Sequence, residues 1–490
     1  MEKITSAIAS AATGCRGLFS RPHPTFPKLT VGVSAFLATT FIITAYSEFL
    51  WLDVFGHDEV HYYSDFSFKL VEDGRWLNFL LHNFLRTIPP ETWIILFAVS
   101  SWALFFSMAR SLGFDDAYAV LLAATILISP PFIQQSLWPA TIFPAVIVLL
   151  LAKFLVDRCL PCPAVYLISG VLLFGTMQSF YFLVPLLFLG QFISVTKNSA
   201  VSWILLFKNL TWWVIGAVAG LFIMSIAVWM LTGHFGVQPA EWRQTQPIRN
   251  TEEFVRNLLY VINAMHSHLL QLIRMAGTDN SVFFTFVFFV FIVRLKAILR
   301  SPGTLIILAA VAAAFFAISI PLAPVIETRS LVALSAAFVI FFSILPGRSS
   351  AGQVTGSLLL LYISYFFFIS GYAYLSRHKE ETTFFYDKLK QVISGYPKSY
   401  SSLALFGVMT DGSPEAAIFN SPSRMHGIIH ALDVDQYLDC RQGSDRRCDN
   451  ISVRGLQSVQ SIAQGYLYFF VNKDNVAIIQ YKSAANLIDE

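Results

Sequence analysis

Charge is what this sequence has least of. Only 13% of its 490 residues are Asp, Glu, Lys or Arg, while 56% are hydrophobic. Soluble domains carry roughly a quarter charged residues, so the composition excludes a soluble globular protein of this length. The net charge of +3 is spread without a polybasic tract, which excludes a nucleic-acid partner. Neither a Walker loop nor a dinucleotide fingerprint is present. Five cysteines are too few for a disulfide scaffold. No internal repeat or low-complexity tract stands out, so the related halves common in transporters are missing.

What is abundant is apolar and aromatic. Forty-six Phe and a mean hydropathy of +0.61 mark a polytopic membrane protein. Residues 1–30 form a basic leader (Lys3, Arg16, Arg21, Lys28), and the first apolar stretch, 31–51, reads as a retained signal-anchor. Further apolar runs follow at 92–110, 116–131, 141–157, 163–177, 179–196, 211–232, 281–298, 303–320, 328–346 and 353–375. Together they predict about eleven spans, several of them short. With the leader in the cytoplasm, every inner connection holds Lys or Arg near a span end: Arg110, Lys153 and Arg158, Lys197 and Lys208, Arg294 with Lys296 and Arg300, and Arg348. The outer connections are then 52–91, 132–140, 233–280 and 321–327. An odd number of spans puts the C-terminus outside as well.

The scarce charge is concentrated in the first outer loop. Residues 52–91 hold seven acids: Asp53, Asp58, Glu59, Asp65, Glu72, Asp73 and Glu91. The adjacent pair Asp58-Glu59 follows the first span closely, where carboxylates stay hydrated and ionised yet lie near the lipid surface. Such a pair suits a general base acting on a lipid-linked substrate; the alternative is plain hydrated surface. Asp65 and the membrane-embedded Glu48 are second choices. Cations for a leaving phosphate are Arg329, at a span mouth after a Pro-interrupted break, Arg75 beside Trp76, and Arg243 beside Trp242. Arg329 also suits a topology or snorkelling role. Gln178, Tyr181 and Trp138 stand at outer span ends, where they would orient sugar rings or merely anchor the interface.

Other clusters carry less. His57 and His61 flank the acidic pair, but a metal site is not expected there, and His266 and His268 fall on different faces of one helix. Cys159 and Cys162 have redox-motif spacing without a thioredoxin-like setting, so inert thiols are expected. No cofactor is implied. In the loop 233–280, Asn250-Thr251-Glu252-Glu253 reads as a helix start, and Phe254, Leu258, Val261, Met265, Leu269 and Leu272 then recur as the stripe of an amphipathic helix expected to lie along the membrane surface. The segment 66–85 carries a similar stripe (Phe66, Leu70, Leu77, Leu80, Phe84).

Composition changes abruptly at Arg377-His378-Lys379-Glu380-Glu381, so residues 31–376 form the membrane domain and 377–490 a separate outer domain. Short strands are expected at 403–408, 416–419, 466–471 and 476–481, with a hairpin turn at Lys473-Asp474-Asn475, which predicts a small α/β or α+β fold. Cys440 and Cys448 lie in a polar loop there, so a local disulfide is favoured over two free thiols.

The order of these parts resembles a known family. A cytoplasmic leader, one span, an outer loop with Asp58-Glu59 and then Gly74-Arg75-Trp76-Leu77, many short spans with a polar break at Gln178, Arg329 at a span mouth and an outer tail look like the GT-C glycosyltransferases. Within them the chain is similar to the O-antigen serotype-conversion glucosyltransferases of temperate phages and related islands. The resemblance implies an inner-membrane enzyme of bacteria with a periplasmic active site. It would move glucose from undecaprenyl-phosphate glucose to a lipid-linked O-antigen repeat, served by a donor-lipid synthase and a donor flippase. The family commonly has two aspartates where this chain has Asp58-Glu59, so either acid could be the base. A polytopic lipid or polysaccharide transporter of the envelope is the competing reading. It calls for ionisable residues at mid-membrane in several spans, and the span centres here hold almost none.

Overall fold

The computed structural model describes residues 28–50, 52, 66–158, 160–194, 200–238, 243–298, 302–347, 349–394, 402–406, 428, 437–440, 460–461, 467–471 and 476–481. It divides into two compact units. The first comprises residues 1–49 and 65–372, and the second comprises 50–64 and 373–490.

The first unit is helical. Its elements are α1 (Lys28–Phe49), α2 (Ser67–Asp73), α3 (Trp76–Leu85), α4 (Pro90–Ser111), α5 (Asp116–Leu127), α6 (Pro130–Gln135), α7 (Pro139–Asp157) and α8 (Cys162–Phe174). Then come a 3₁₀ turn (Gln178–Leu183), α9 (Val184–Leu187), α10 (Leu189–Ser194), α11 (Ala200–Thr232), α12 (Thr251–Met275), α13 (Ser281–Ile298) and α14 (Pro302–Ser319). A second 3₁₀ turn (Thr328–Ser330) leads into α15 (Val332–Ile344), and α16 (Ser350–Ser394) begins in this unit. Among the described residues, five helices are long and apolar enough to cross a membrane: 29–49, 90–111, 139–157, 203–232 and 351–380. Five shorter apolar helical stretches, 116–127, 162–174, 283–293, 303–319 and 332–344, have 10–17 residues. At about 1.5 Å per residue, these fall short of a hydrocarbon layer about 30 Å thick. The helices are those of a multi-pass membrane protein.

Proline sets many of the boundaries. Pro90, Pro130 and Pro139 each open a helix, where the missing N–H costs nothing. Pro130 also holds Ser129 extended and ends the run expected at 116–131 at Leu127. The run expected as one span at 179–196 is three short pieces instead. Pro185 lacks the N–H that a continuous helix would direct to the Tyr181 carbonyl. The stripe expected over 66–85 is likewise divided, at Gly74-Arg75, and its members part company. Phe66 and Leu70 are buried, while Leu80 and Phe84 are exposed.

The core is made by close helix contact and buried hydroxyls. At Gly170 in α8 a Cβ would lie 2.1 Å from the Gly216 carbonyl oxygen of α11, so only glycine permits that approach. Polar side chains join other helices: Tyr118 donates to the Ser343 carbonyl at 2.9 Å, and Ser129 to Ser335 at 3.1 Å. Thr125 and Ser364 share a bond of 2.8 Å. Tyr181 belongs to this core, fully buried and donating to the Trp213 carbonyl at 2.7 Å.

The second unit takes the end of α16, which runs on through 377–381 to Ser394 rather than stopping at the change in composition. Arg, Lys and Glu are good helix formers, so a polar run there does not break the helix. A five-stranded sheet follows, ordered β2-β1-β5-β4-β3, with β1 Ser402–Phe406, β2 Tyr437–Asp439, β3 Gln460–Ser461, β4 Leu467–Val471 and β5 Val476–Tyr481. β1 runs parallel to β2 and β5, while β4 is antiparallel to both β3 and β5. Residues 416–419 and 473–475 lie outside the described residues.

Candidate functional site

The carboxylate of Asp73, at the end of α2, is tied to cations from several sides. Gly74 follows in the left-handed region (φ 69°), and its N–H and that of Arg75 return to the Leu70 and Lys69 carbonyls. A Cβ at Gly74 would meet the Met224 sulfur at 2.5 Å, so only glycine makes this turn. The reversal brings Arg75 back beside Asp73 at 3.0 Å, while Lys69, one helical turn earlier, reaches it at 3.4 Å. The side chains of Lys69, Asp73 and Arg75 are 6%, 2% and 7% exposed. Arg243, from the connection after α11, also donates to Asp73, and Gln178, from the first 3₁₀ turn, donates to the Asp73 carbonyl. Gln178 further contacts the Met224 sulfur at 3.6 Å. Segments far apart in the chain therefore meet on one buried acid. Ions held out of water need such close, multiple pairing.

Arg243 begins a strap of two irregular segments, in which Gln244 and Ala323 have positive φ (47° and 37°). Its carbonyl accepts from Val325 N–H at 3.0 Å, Gln246 N–H donates to the Leu322 carbonyl at 2.6 Å, and Ile248 N–H donates to that of Pro321 at 3.3 Å. Residues 243–248 thus run antiparallel to 320–325. The inward face of α12 holds the strap through polar side chains. Asn257 donates to the Gln246 and Ile320 carbonyls at 2.6 and 3.2 Å. His268 bonds the Ile326 carbonyl at 3.0 Å, and Thr328 donates to Gln271 at 3.3 Å. α12 itself starts where Asn250 caps the Glu253 N–H and Glu253 reaches back to Arg249 N–H, a reciprocal capping arrangement.

At the end of the strap stands Arg329. It pairs with Glu327 at 2.5 Å and lies over the indole of Trp138, 4.4 Å from the ring centroid. Gln135, at the end of α6, donates to the Arg329 carbonyl at 2.6 Å. A guanidinium held over an aromatic face keeps its place while its edge still offers N–H donors.

The residues expected to work together are thus distributed over two clusters. Arg75, Arg243 and Gln178 meet on Asp73; Arg329 and Trp138 meet beside Glu327. Trp76 borders the first cluster, its indole nitrogen against Gly175, and the Leu77 and Asn78 N–H groups donate to the Gly175 carbonyl at 2.9 and 3.2 Å. Glu48 accepts from the Tyr372 hydroxyl at 3.4 Å. Tyr181 joins neither cluster: its ring packs on Phe174 and Phe182, and its hydroxyl serves the α11 backbone.

Asp58, Glu59, Asp65, His57, His61, Trp242, Cys159 and Cys448 lie outside the described residues. Cys440 is disulfide-bonded, to a partner that is also outside them. Cys162 is a free thiol that donates to Asn209 at 3.3 Å. Among the described residues no group of three His, Cys, Asp or Glu side chains could hold a metal ion.

Sequence reading counted Asp73 only among the acids of the first outer loop, weighed His268 only as a metal ligand, and passed over Lys69 and Asn257. The i,i+4 spacing of Lys69 and Asp73 was the one local signal for the first cluster. Nothing local announces Asn257 as a clamp. No family model, curated protein or solved structure matches the chain.

Proposed function

We propose that this chain is an integral-membrane glycosyltransferase of the GT-C type. It moves glucose from undecaprenyl-phosphate glucose to a sugar of the lipopolysaccharide O-antigen repeat, on the periplasmic side of the bacterial inner membrane. The observation that carries the reading is the gathering of Lys69, Arg75 and Arg243 on Asp73, with Gln178 on its backbone. This basic assembly stands close in sequence after the acidic pair Asp58-Glu59.

The chemistry asks for little else. One carboxylate of Asp58 or Glu59 takes the proton of the acceptor hydroxyl as that oxygen bonds to the sugar's anomeric carbon. The bond from that carbon to the phosphate oxygen breaks, and its electron pair leaves with the polyprenyl phosphate. Guanidinium groups aimed at the departing phosphate lower the barrier by holding the charge that develops there. Arg243, one third exposed, and Arg329 on Trp138 are the groups suited to this. Trp76, which is only partly buried, offers an apolar face for a sugar ring.

The test is compositional. Cells making the donor lipid through a synthase and flippase are given this chain, and their surface polysaccharide is analysed. A new side-branch glucose supports the reading, and an unchanged polysaccharide overturns it.

A further inference from the structure

α12 turns a mixed side toward the protein, where Val261 and Leu272 are buried beside polar groups. The side chains it turns toward the protein include Asn257, His268 and Gln271, all bonded to the strap. Large apolar side chains on its other side, among them Val255, Leu259, Ile262, Leu269 and Leu270, are exposed, Leu259 by 56% and Ile262 by 46%, with the exposed His266 in their midst. A surface helix in water keeps the side away from the protein polar, and this one does not. The remaining edge is polar: Arg256 and Arg274 are both exposed and, about five turns apart, share one azimuth. Asn263 and Ser267 lie near the same line and are exposed too. At its C-terminal end the helix leads closely into an apolar one: α13 starts at Ser281, a few residues after Met275.

We infer that α12 lies in the membrane interface. Its apolar side would sit among phospholipid acyl chains, with Arg256 and Arg274 at the level of the phosphate headgroups. The occupant of the exposed face is lipid, because a long apolar stripe edged by arginines matches an acyl layer bounded by anionic phosphates. The consequence for the site is positional and rests on the proposed function. The strap hangs on the inward face of α12, so a helix fixed at the interface sets Arg243 and Arg329 at the depth where a lipid-borne phosphate lies. The lipid-facing stripe and the strap-holding face belong to one rigid element.

Photolabelling tests this without any transfer reaction. The full chain is reconstituted in vesicles containing a phospholipid with a diazirine on one acyl chain, irradiated, and mapped by mass spectrometry. Val255, Leu259 and Ile262 are expected to carry adducts at yields within about threefold of exposed span residues such as Val214 and Val218, with Asn263 and Ser267 unlabelled. Ile262→Glu is expected to lower the yield on α12 about fivefold or more while the spans label as before. Labelled spans with an unlabelled α12 overturn the inference; a second copy or another protein covering this face would give that result. An active enzyme with an unlabelled α12 removes only this inference. An inactive protein with a labelled α12 removes only the glycosyltransferase reading.

Discussion

Arg243 donates to the carboxylate of Asp73 across 170 residues of sequence, and so joins the connection after α11 to the one after α1. Arg75 and Lys69 hold the same carboxylate from its own segment, 3.0 and 3.4 Å away. Asp73 is therefore the anchor of the basic assembly, and its role is to position it.

Replacing that anchor removes the partner of buried cations. Asp73→Asn is expected to destabilise the protein by about 3 kcal/mol or more, the usual cost of breaking a buried ion pair from one side. Thermal unfolding in detergent reads this directly. Arg243→Gln is expected to cost less, since Arg243 is one third exposed and Arg75 and Lys69 still neutralise the acid. Equal midpoints for Asp73→Asn and the parent protein would remove Asp73 from the centre of the assembly.

Arg329 lies over the Trp138 ring while pairing with Glu327. Arg329→Ala is expected to raise KM for the lipid donor about tenfold or more, the loss of one charged hydrogen bond to phosphate. Arg329→Lys is expected to recover little, because an ammonium cannot reproduce a planar fork. Titrating the rate against donor concentration separates the cases, and an unchanged donor KM for Arg329→Ala would exclude the role.

Asn257 tests the strap. Its amide is shared between the Gln246 and Ile320 carbonyls, and Asn257→Ala leaves both without that donor in a buried setting. A loss of about 1–3 kcal/mol is expected, together with a rise in donor KM in the same direction as for Arg329→Ala. A variant that loses stability but keeps the parent donor KM would show that the strap does not position Arg243 and Arg329.

Much of the helical architecture was legible because its causes are local. Each apolar run announces itself by length, and Asn250 with Glu253 marks the start of α12 by chemistry that spans four residues. The misreadings also have local causes that periodicity ignores. Gly74 breaks a continuing stripe, and Pro185 interrupts an apolar run. In α12 the expected stripe included Val261 and Leu272, which are buried, and Phe254 and Leu269, which are exposed. Periodicity finds an apolar side but does not say whether protein or lipid covers it. The candidate site was legible only as a set of residue types. That Arg75 and Arg243 share Asp73, or that Asn257 clamps two carbonyls, depends on contacts between distant segments that no spacing encodes.

The most direct measurement uses purified protein, undecaprenyl-phosphate glucose and a lipid-linked O-antigen acceptor, and compares single-turnover glucose transfer by the parent chain, Asp58→Asn and Glu59→Gln. One of the two variants is expected to lose transfer by about a hundredfold or more, the scale of a missing general base, while its thermal midpoint stays at the parent value. Parent-like turnover in both variants would contradict the account.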